Sequence, residues 1–125
     1  TTLMEKAYAL DPNQKYINYY MGTLQVMKGQ LLESEKYFLE EVERTDYYKC
    51  YSHLGQIAFQ KQDPMKAIEY LEKYIAVEAR EAEMNNNLLM LYFQTNQMDK
   101  ARTHAQNMQR RRLTIPEQFR AQLGM

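Results

Sequence analysis

The chain is poor in residues that interrupt helices or cross-link small folds. Its 125 residues include no tryptophan, one cysteine, three prolines and four glycines. The single thiol, Cys50, cannot form an internal disulfide, so the fold does not need an oxidising compartment. This composition fits the cytoplasm, does not exclude the periplasm and does not fix the compartment. Tyrosine (11) and methionine (9) are plentiful, a mix that favours helices joined by short turns.

The chain also lacks an excess of either charge and a long apolar run. Lysine and arginine together number 16, as do aspartate and glutamate, so the formal net charge is zero. This balance gives no reason to expect nucleic acid or an anionic membrane as the main partner. No apolar stretch approaches the ~20 residues of a membrane-spanning helix. We therefore expect no nucleic-acid binding and no membrane insertion.

A period of about 34 residues runs through the chain and is its strongest internal signal. Three sets of residues recur at spacings of 33 and 34. In every unit, the member of the second set lies 16 residues before the member of the third. These sets are Gly22 and Gly55; Asn18, Tyr51 and Asn85; and Ser34, Ala67 and Ala101.

Each period holds two amphipathic stretches, which in the middle unit run near residues 50–61 and 64–78. Asp63 and Pro64 predict a helix N-cap followed by proline at the first helical position. Gly29-Gln30 and Thr95-Asn96 predict the turns within the outer units. Gly22, Gly55 and Ala67 are expected where paired helices cross closely. Because one helix pair cannot bury its own apolar face, we expect such pairs to stack.

These motifs resemble the tetratricopeptide repeat family, whose pattern is W-x₂-L-G-x₂-Y, then A-x₃-F, then P. The middle unit reads Tyr51-x₂-Leu54-Gly55-x₂-Ala58 and then Ala67-x₃-Leu71. The outer units follow the pattern less closely, through Asn18-x₂-Met21-Gly22-x₂-Gln25 with Ser34-x₃-Phe38, and Asn85-x₂-Leu88-Leu89-x₂-Tyr92 with Ala101-x₃-Ala105. The resemblance implies an all-α, right-handed α-solenoid of stacked antiparallel helix hairpins.

The resemblance also implies a division of the single domain, 1–125. Residues 1–14 are expected to be the second helix of a truncated unit, followed by repeats at 15–47, 48–81 and 82–112 and a capping helix at 113–125. The chain is therefore expected to be a fragment of a longer protein, with Leu3, Tyr8 and Leu10 partly uncovered or covered by a second copy. Thr114 and Glu117 form a capping-box pattern before the last helix. That helix either closes the stack or begins a further unit.

The titratable residues do not form a catalytic or metal-binding pattern. His53 and His104 are 51 residues apart, and neither has a second histidine or a cysteine at ligand spacing. Cys50 is interpreted as a packed or half-exposed thiol, and Glu40, Glu41 and Glu43 as a solvated helix face. No glycine-rich phosphate loop is present. We predict that the segment is not an enzyme and that it has no catalytic residues, cofactor or metal.

Residues Arg110, Arg111 and Arg112 form the one run of like charge. The run ends a predicted helix, where positive charge offsets the carbonyl end of the helix dipole. A contact with an acidic or phosphate group is an alternative, and nucleic acid is a weaker one because the domain is neutral.

The resemblance implies a concave groove lined by the first helix of each unit. Carried onto this sequence, its positions are Tyr16, Tyr19, Thr23, Val26 and Met27; Lys49, Ser52, Gln56, Phe59 and Gln60; and Glu83, Asn86, Met90, Phe93 and Gln94. Aromatic, thioether and amide groups of this kind suit a mostly neutral extended peptide or a helix. The alternative is that they only pack one helix against another.

One subfamily binds C-terminal carboxylates with lysine, arginine and asparagine side chains. The matching positions here are Tyr19, Thr23, His53, Glu83 and Asn87, which include none of those cations. Two buried carboxylates would lack positive partners, so that ligand is disfavoured.

The leading hypothesis is therefore a protein–protein interaction scaffold that holds a partner protein or peptide in the groove. A second hypothesis is an oligomerisation or spacer segment that self-associates through exposed ends of the solenoid. A third is a regulatory module attached to a catalytic, signalling or DNA-binding domain outside this segment.

Overall fold

The computed structural model describes residues 5–6 and 16–125 of the chain, and within them every regular element is a helix. The helices are α1 (Ile17–Met27), α2 (Leu31–Thr45), α3 (Lys49–Gln60), α4 (Pro64–Ile75), α5 (Ala82–Gln94), α6 (Met98–Arg110) and α7 (Glu117–Leu123). From α1 to α6, each helix packs against the next along the chain. We call α1 with α2 the first pair, α3 with α4 the second pair and α5 with α6 the third pair. The predicted all-α helical solenoid is confirmed. The predicted helix at 1–14, with Leu3, Tyr8 and Leu10, lies outside the described residues apart from positions 5 and 6.

The three turns within the helix pairs share one backbone geometry. Gly29, Gln62 and Asn96 occupy equivalent positions of the period and have φ of 75°, 61° and 58°. After each one, the next backbone N–H donates to a carbonyl five residues earlier, at 2.8–2.9 Å. This left-handed residue with its 6→1 hydrogen bond is the Schellman motif that ends many helices. The predicted turns at Gly29 and Asn96 are confirmed, and Gln62 adopts the same conformation without the freedom of glycine.

The second pair begins its α4 helix as its sequence predicts. Asp63 is the N-cap, its side chain accepts a hydrogen bond from the Lys66 N–H at 3.2 Å, and Pro64 follows at the first helical position. The predicted cap at Thr114, in contrast, is wrong. Helix α7 starts after Pro116 and has no side-chain cap, so Glu117 lies in its first turn rather than at the third position.

Replacing Asp63 by alanine is expected to lower the free energy of unfolding by about 1 kcal/mol, because the first-turn N–H of Lys66 loses its acceptor. Replacement by serine should retain most of the stability, since serine also caps helices well. Urea titration of both variants measures the difference. Equal losses for alanine and serine would contradict the capping role.

Close helix crossings explain the small residues of the first two pairs. A Cβ atom on Gly22 would lie 2.6 Å from Cε1 of Phe38, and one on Gly55 would lie 2.9 Å from Cδ2 of Leu71. Both Phe38 and Leu71 are buried. The prediction that Gly22 and Gly55 mark close crossings is confirmed, and Ala67 is fully buried.

The third pair reverses the sizes of these two positions. Leu89 stands where the other pairs have glycine, and Ala105 stands where they have Phe38 and Leu71. Leu89 and Ala105 are both 0% exposed and belong to the same core cluster. The large side chain has therefore moved from the second helix to the first.

The interpretation of Glu40, Glu41 and Glu43 as a solvated face is wrong for Glu41. Its side chain is 0% exposed, whereas Glu40 and Glu43 face solvent. Its Oε1 accepts from the Asn18 N–H at 3.1 Å, and its Oε2 accepts from the Thr45 hydroxyl at 2.6 Å. Helix α1 has no cap from its own N-cap residue, Tyr16, so Glu41 supplies an acceptor to its first turn from across the hairpin.

Candidate functional site

A cavity of about 170 Å³ opens between the first helices of the second and third pairs, α3 and α5. We call it the first-helix cavity. It is lined by Gly55, Gln56, Phe59, Gln60, Leu71, Asn87, Met90 and Leu91. Four of these, Gln56, Phe59, Gln60 and Met90, belong to the groove positions predicted from the sequence. The structure therefore brings two predicted first-helix surfaces to one opening.

The floor and rim of the first-helix cavity differ in polarity. Leu71 and Leu91 are buried, and Gly55 lacks a side chain that would fill the space above Leu71. At the rim, Phe59 is 44% exposed and Gln56 and Gln60 face solvent. An apolar pocket ringed by amides can take an apolar side chain while bonding the backbone that carries it.

Two predicted groove residues of the first pair belong to an aromatic cluster around Tyr47. The Tyr16 ring stacks on Tyr47 with centroids 4.0 Å apart, and Tyr19 meets Tyr47 edge-on at 5.2 Å. Burial is the main cause that raises the pKa of Tyr19. The Thr23 hydroxyl donates to the Tyr19 carbonyl at 2.9 Å. These residues form a pre-packed aromatic surface rather than separate contact points.

The remaining predicted positions of the second pair lie beside this cluster. Lys49 is exposed, and the nearby Tyr47 and Tyr48 raise the pKa of its ammonium group. Ser52 is half-buried, and its hydroxyl donates to the Lys49 carbonyl at 3.1 Å. Lys49 therefore keeps its positive charge at the rim of the aromatic cluster.

The third pair contributes positions with unequal access. Glu83 and Gln94 are exposed, and the half-buried Asn86 has a buried Oδ1 without a hydrogen-bond partner. The Phe93 ring stacks on Phe119 of α7, with centroids 4.9 Å apart and planes 9° apart. Phe93 is thus used at least in part for packing against the last helix.

Sequence reasoning missed some of the lining of the first-helix cavity. Asn87 was considered only as a carboxylate-binding position, Leu71 only as part of the repeat pattern, and Leu91 was not singled out. The available signal was the register, since Asn87 lies three residues before Met90 and so falls on the same helix face.

The histidines and the cysteine occupy packed positions. His53 stacks on Phe38 at 4.8 Å, and the Nε2 atom of His104 lies 3.1 Å from the Asn85 carbonyl. Cys50 is 0% exposed, and burial raises the pKa of its thiol to about 12, which leaves it protonated at neutral pH. Across residues 5–6 and 16–125, no three side chains of histidine, cysteine, aspartate or glutamate converge as metal ligands would.

The arginine run lies at a helix end. Arg110 is the last residue of α6 and donates to the Asn107 side chain at 3.4 Å, and Arg111 follows as the C-cap. Arg111 also reaches the Asn85 side-chain oxygen at 3.5 Å. The interpretation as compensation of the helix dipole agrees with this placement. Among the helices that the structure describes, none is both long and apolar enough to cross a bilayer.

The comparisons with known proteins agree with this architecture. Residues 48–80 match the family model described as tetratricopeptide repeat. A comparison with curated proteins finds no significant match.

Similar folds occur in solved structures at low sequence identity. A crystal structure of MamA aligns with a TM-score of 0.70 and 21% identity, over 83% of this chain and 61% of that one. The MamA RS-1 ArsTM double mutant gives 0.73 and 18%, over 89% and 63%. The pilF protein of Pseudomonas aeruginosa gives 0.72 and 20%, over 86% and 50%. The alignments thus span less than two thirds of each of those chains.

The helix pairs, the glycine crossings and the comparisons lead to the same conclusion: the chain folds as a helical solenoid like those structures, and its residues 48–80 match the tetratricopeptide repeat family.

Proposed function

We propose that the chain is a protein-interaction scaffold that binds an extended peptide or a helix of a partner along its first helices. The observation that carries this proposal is the first-helix cavity, where Phe59 is exposed beside buried leucines and amide side chains. An isolated large aromatic at a surface opening is a typical anchor for a partner side chain.

The cavity defines the contact that the partner makes. Its volume of about 170 Å³ accepts a single apolar side chain. The rim amides of Gln56, Gln60 and Asn87 can both donate to and accept from the backbone of the same peptide. The aromatic cluster around Tyr47 extends this surface onto the first pair and presents the charge of Lys49.

Binding is tested with peptides selected from a random phage-displayed library on the immobilised chain. Replacing Phe59 by alanine is expected to weaken the selected peptides by tenfold or more, because a central aromatic contact is worth roughly 2 kcal/mol. The free energy of unfolding should fall by no more than about 1–2 kcal/mol, since the side chain is 44% exposed, so the variant should remain folded.

Met65 provides the matched control. It is 58% exposed but lies on α4, outside the first-helix cavity. The Met65→Ala variant should bind the selected peptides as the unmodified chain does. If the Phe59 variant binds the peptides as tightly as the unmodified chain, the first-helix cavity is not the binding site. The same conclusion follows if both variants lose the same amount of affinity.

A further inference from the structure

A second opening lies between the second helices of the second and third pairs, and nothing in the proposed function uses it. It is a shallow opening of about 320 Å³, lined by Glu72 of α4, Tyr92 of α5, and Asp99, Lys100, His104 and other residues of α6. We call it the second-helix crevice. It shares no lining residue with the first-helix cavity.

The repeat provides an internal comparison for this crevice. One period earlier, the equivalent opening is lined by Leu39, Ala58, Lys66 and Tyr70, among others. The lysine recurs at position 100, but Leu39, Ala58 and Tyr70 are replaced by Glu72, Tyr92 and His104. The earlier opening also has Glu35, Lys61 and Asp63 in its lining, so both openings are charged. What differs is that the positions of Leu39 and Tyr70 carry a carboxylate and an imidazole in the later unit.

His104 is the buried polar group of the crevice. Its side chain is 8% exposed, and Nε2 lies 3.1 Å from the Asn85 carbonyl oxygen. Because a carbonyl can only accept, Nε2 carries the proton and Nδ1 of the neutral ring keeps a bare lone pair. That nitrogen is not among the buried polar atoms without a partner, so it is open to water at the crevice. A group that enters the crevice and donates an N–H would take the place of that water.

Two carboxylates of the crevice are available to a cation. Glu72 uses Oε2 to accept from the Tyr92 hydroxyl at 2.5 Å, which leaves Oε1 available. Asp99 contacts Arg102 at the long distance of 3.7 Å and is fully exposed, so its carboxylate can also contact a second partner. Lys100 and Arg111 oppose a cation. Lys100 is exposed and can turn its ammonium group into solvent, and the Arg111 guanidinium contacts the Asn85 side-chain oxygen at 3.5 Å.

We propose that the second-helix crevice binds the guanidinium group of an arginine side chain on a partner protein. The planar guanidinium has five N–H donors, enough to reach Nδ1 of His104 and the carboxylate of Glu72 together. The side-chain amide of Asn107 at the rim can donate to a carbonyl group of the peptide that carries the arginine. The solenoid would then hold partners on two different faces.

The probe for this site is N-acetyl-arginine amide, followed by NMR on the full chain. Saturable shifts are expected at the His104 ring and the Tyr92 amide, with a dissociation constant of roughly millimolar order for so small a ligand. N-acetyl-citrulline amide has a similar shape without the charge and should bind at least tenfold more weakly. Absent or unsaturable shifts, or equal binding of citrulline, would overturn the proposal.

Two variants of α4 distinguish binding at the crevice from a general attraction of the probe to surface charge. Glu72→Gln removes the carboxylate of the crevice and should weaken the arginine probe about tenfold. Glu69→Gln removes another exposed carboxylate one turn earlier, which contacts Lys66 at 3.5 Å, and should leave binding unchanged. A loss of the same size in both variants would count against the crevice.

The site also predicts a pH dependence with a definite sign. His104 faces Asn85 and Tyr92 of α5, Glu72 of α4, Lys100 on its own helix and Arg111 just beyond it, and burial lowers its pKa below 6.5. Protonation at Nδ1 replaces the lone pair with an N–H and repels a cation. Affinity for the probe should therefore hold at pH 7.5 and fall about tenfold for each unit below the His104 pKa. Unchanged affinity through that titration would overturn the role of His104.

Discussion

Replacing Leu89 by glycine is expected to lower the free energy of unfolding by about 3–5 kcal/mol. The leucine is 0% exposed, and the position opposite it in the repeat, Ala105, is too small to fill the space that a glycine would leave. A glycine also destabilises the interior of a helix relative to other residues. Urea unfolding followed by circular dichroism measures the loss.

The informative partner of this variant is the double replacement Leu89→Gly with Ala105→Leu. It copies onto the third pair the arrangement of Gly55 and Leu71, which the same fold already contains one period earlier. We expect the double variant to recover most of the loss, to within about 1.5 kcal/mol of the starting chain. If the effects of Leu89→Gly and Ala105→Leu on stability simply add, the two side chains do not compensate for each other in size. Our account of the reversed crossing would then be wrong.

Replacing Glu41 by alanine is the second large effect, about 2–4 kcal/mol of unfolding free energy. The change leaves the buried N–H of Asn18 without an acceptor and opens a void where the fully buried side chain stood. The first pair should then open locally at a lower free energy than the rest of the chain. Faster hydrogen exchange at the amides of α1 would detect this opening.

Glu40 and Glu43 are controls on the same helix, because both are exposed. Alanine at either position should change stability by less than about 0.5 kcal/mol. A Glu41→Ala variant no less stable than Glu40→Ala would show that the contact with the start of α1 contributes nothing.

The fold followed from the sequence wherever one local rule sufficed. The period of 33 and 34 located the helix pairs, the glycines marked the close crossings, and Asp63 with Pro64 marked the start of α4. Thr114 failed because two consecutive residues there, Ile115 and Pro116, keep the chain extended, and the helix begins only after the proline.

Glu41 needed a comparison across units rather than along one helix. Its equivalents one and two periods later are Tyr74 and Met108, which are large and largely buried. A charged residue in that register signals a buried carboxylate with a specific partner. The reading of three nearby glutamates as a solvated face overlooked this because helical neighbours alone do not show which face meets the next helix.

The candidate site was only partly accessible to sequence reasoning. The register of the first helices identified Gln56, Phe59 and Met90, which line one cavity, but not that α7 would place Phe119 against Phe93. The second-helix crevice was not foreseen, because His104 and Glu72 are 32 residues apart and belong to different pairs. Only the stacking of one pair on the next brings them together.

The reversed sizes at Leu89 and Ala105 also determine how such an array can be recombined. A chimaera that joined α5 to α4 as partners would set Leu89 against Leu71, whereas one that joined α3 to α6 would face Gly55 with Ala105 and leave a void. Whole hairpins keep their matched sizes when they are moved, so splice points should fall between hairpins and never inside one. The whole hairpin is therefore the smallest unit that gene duplication or laboratory shuffling of this solenoid can move with its packing intact.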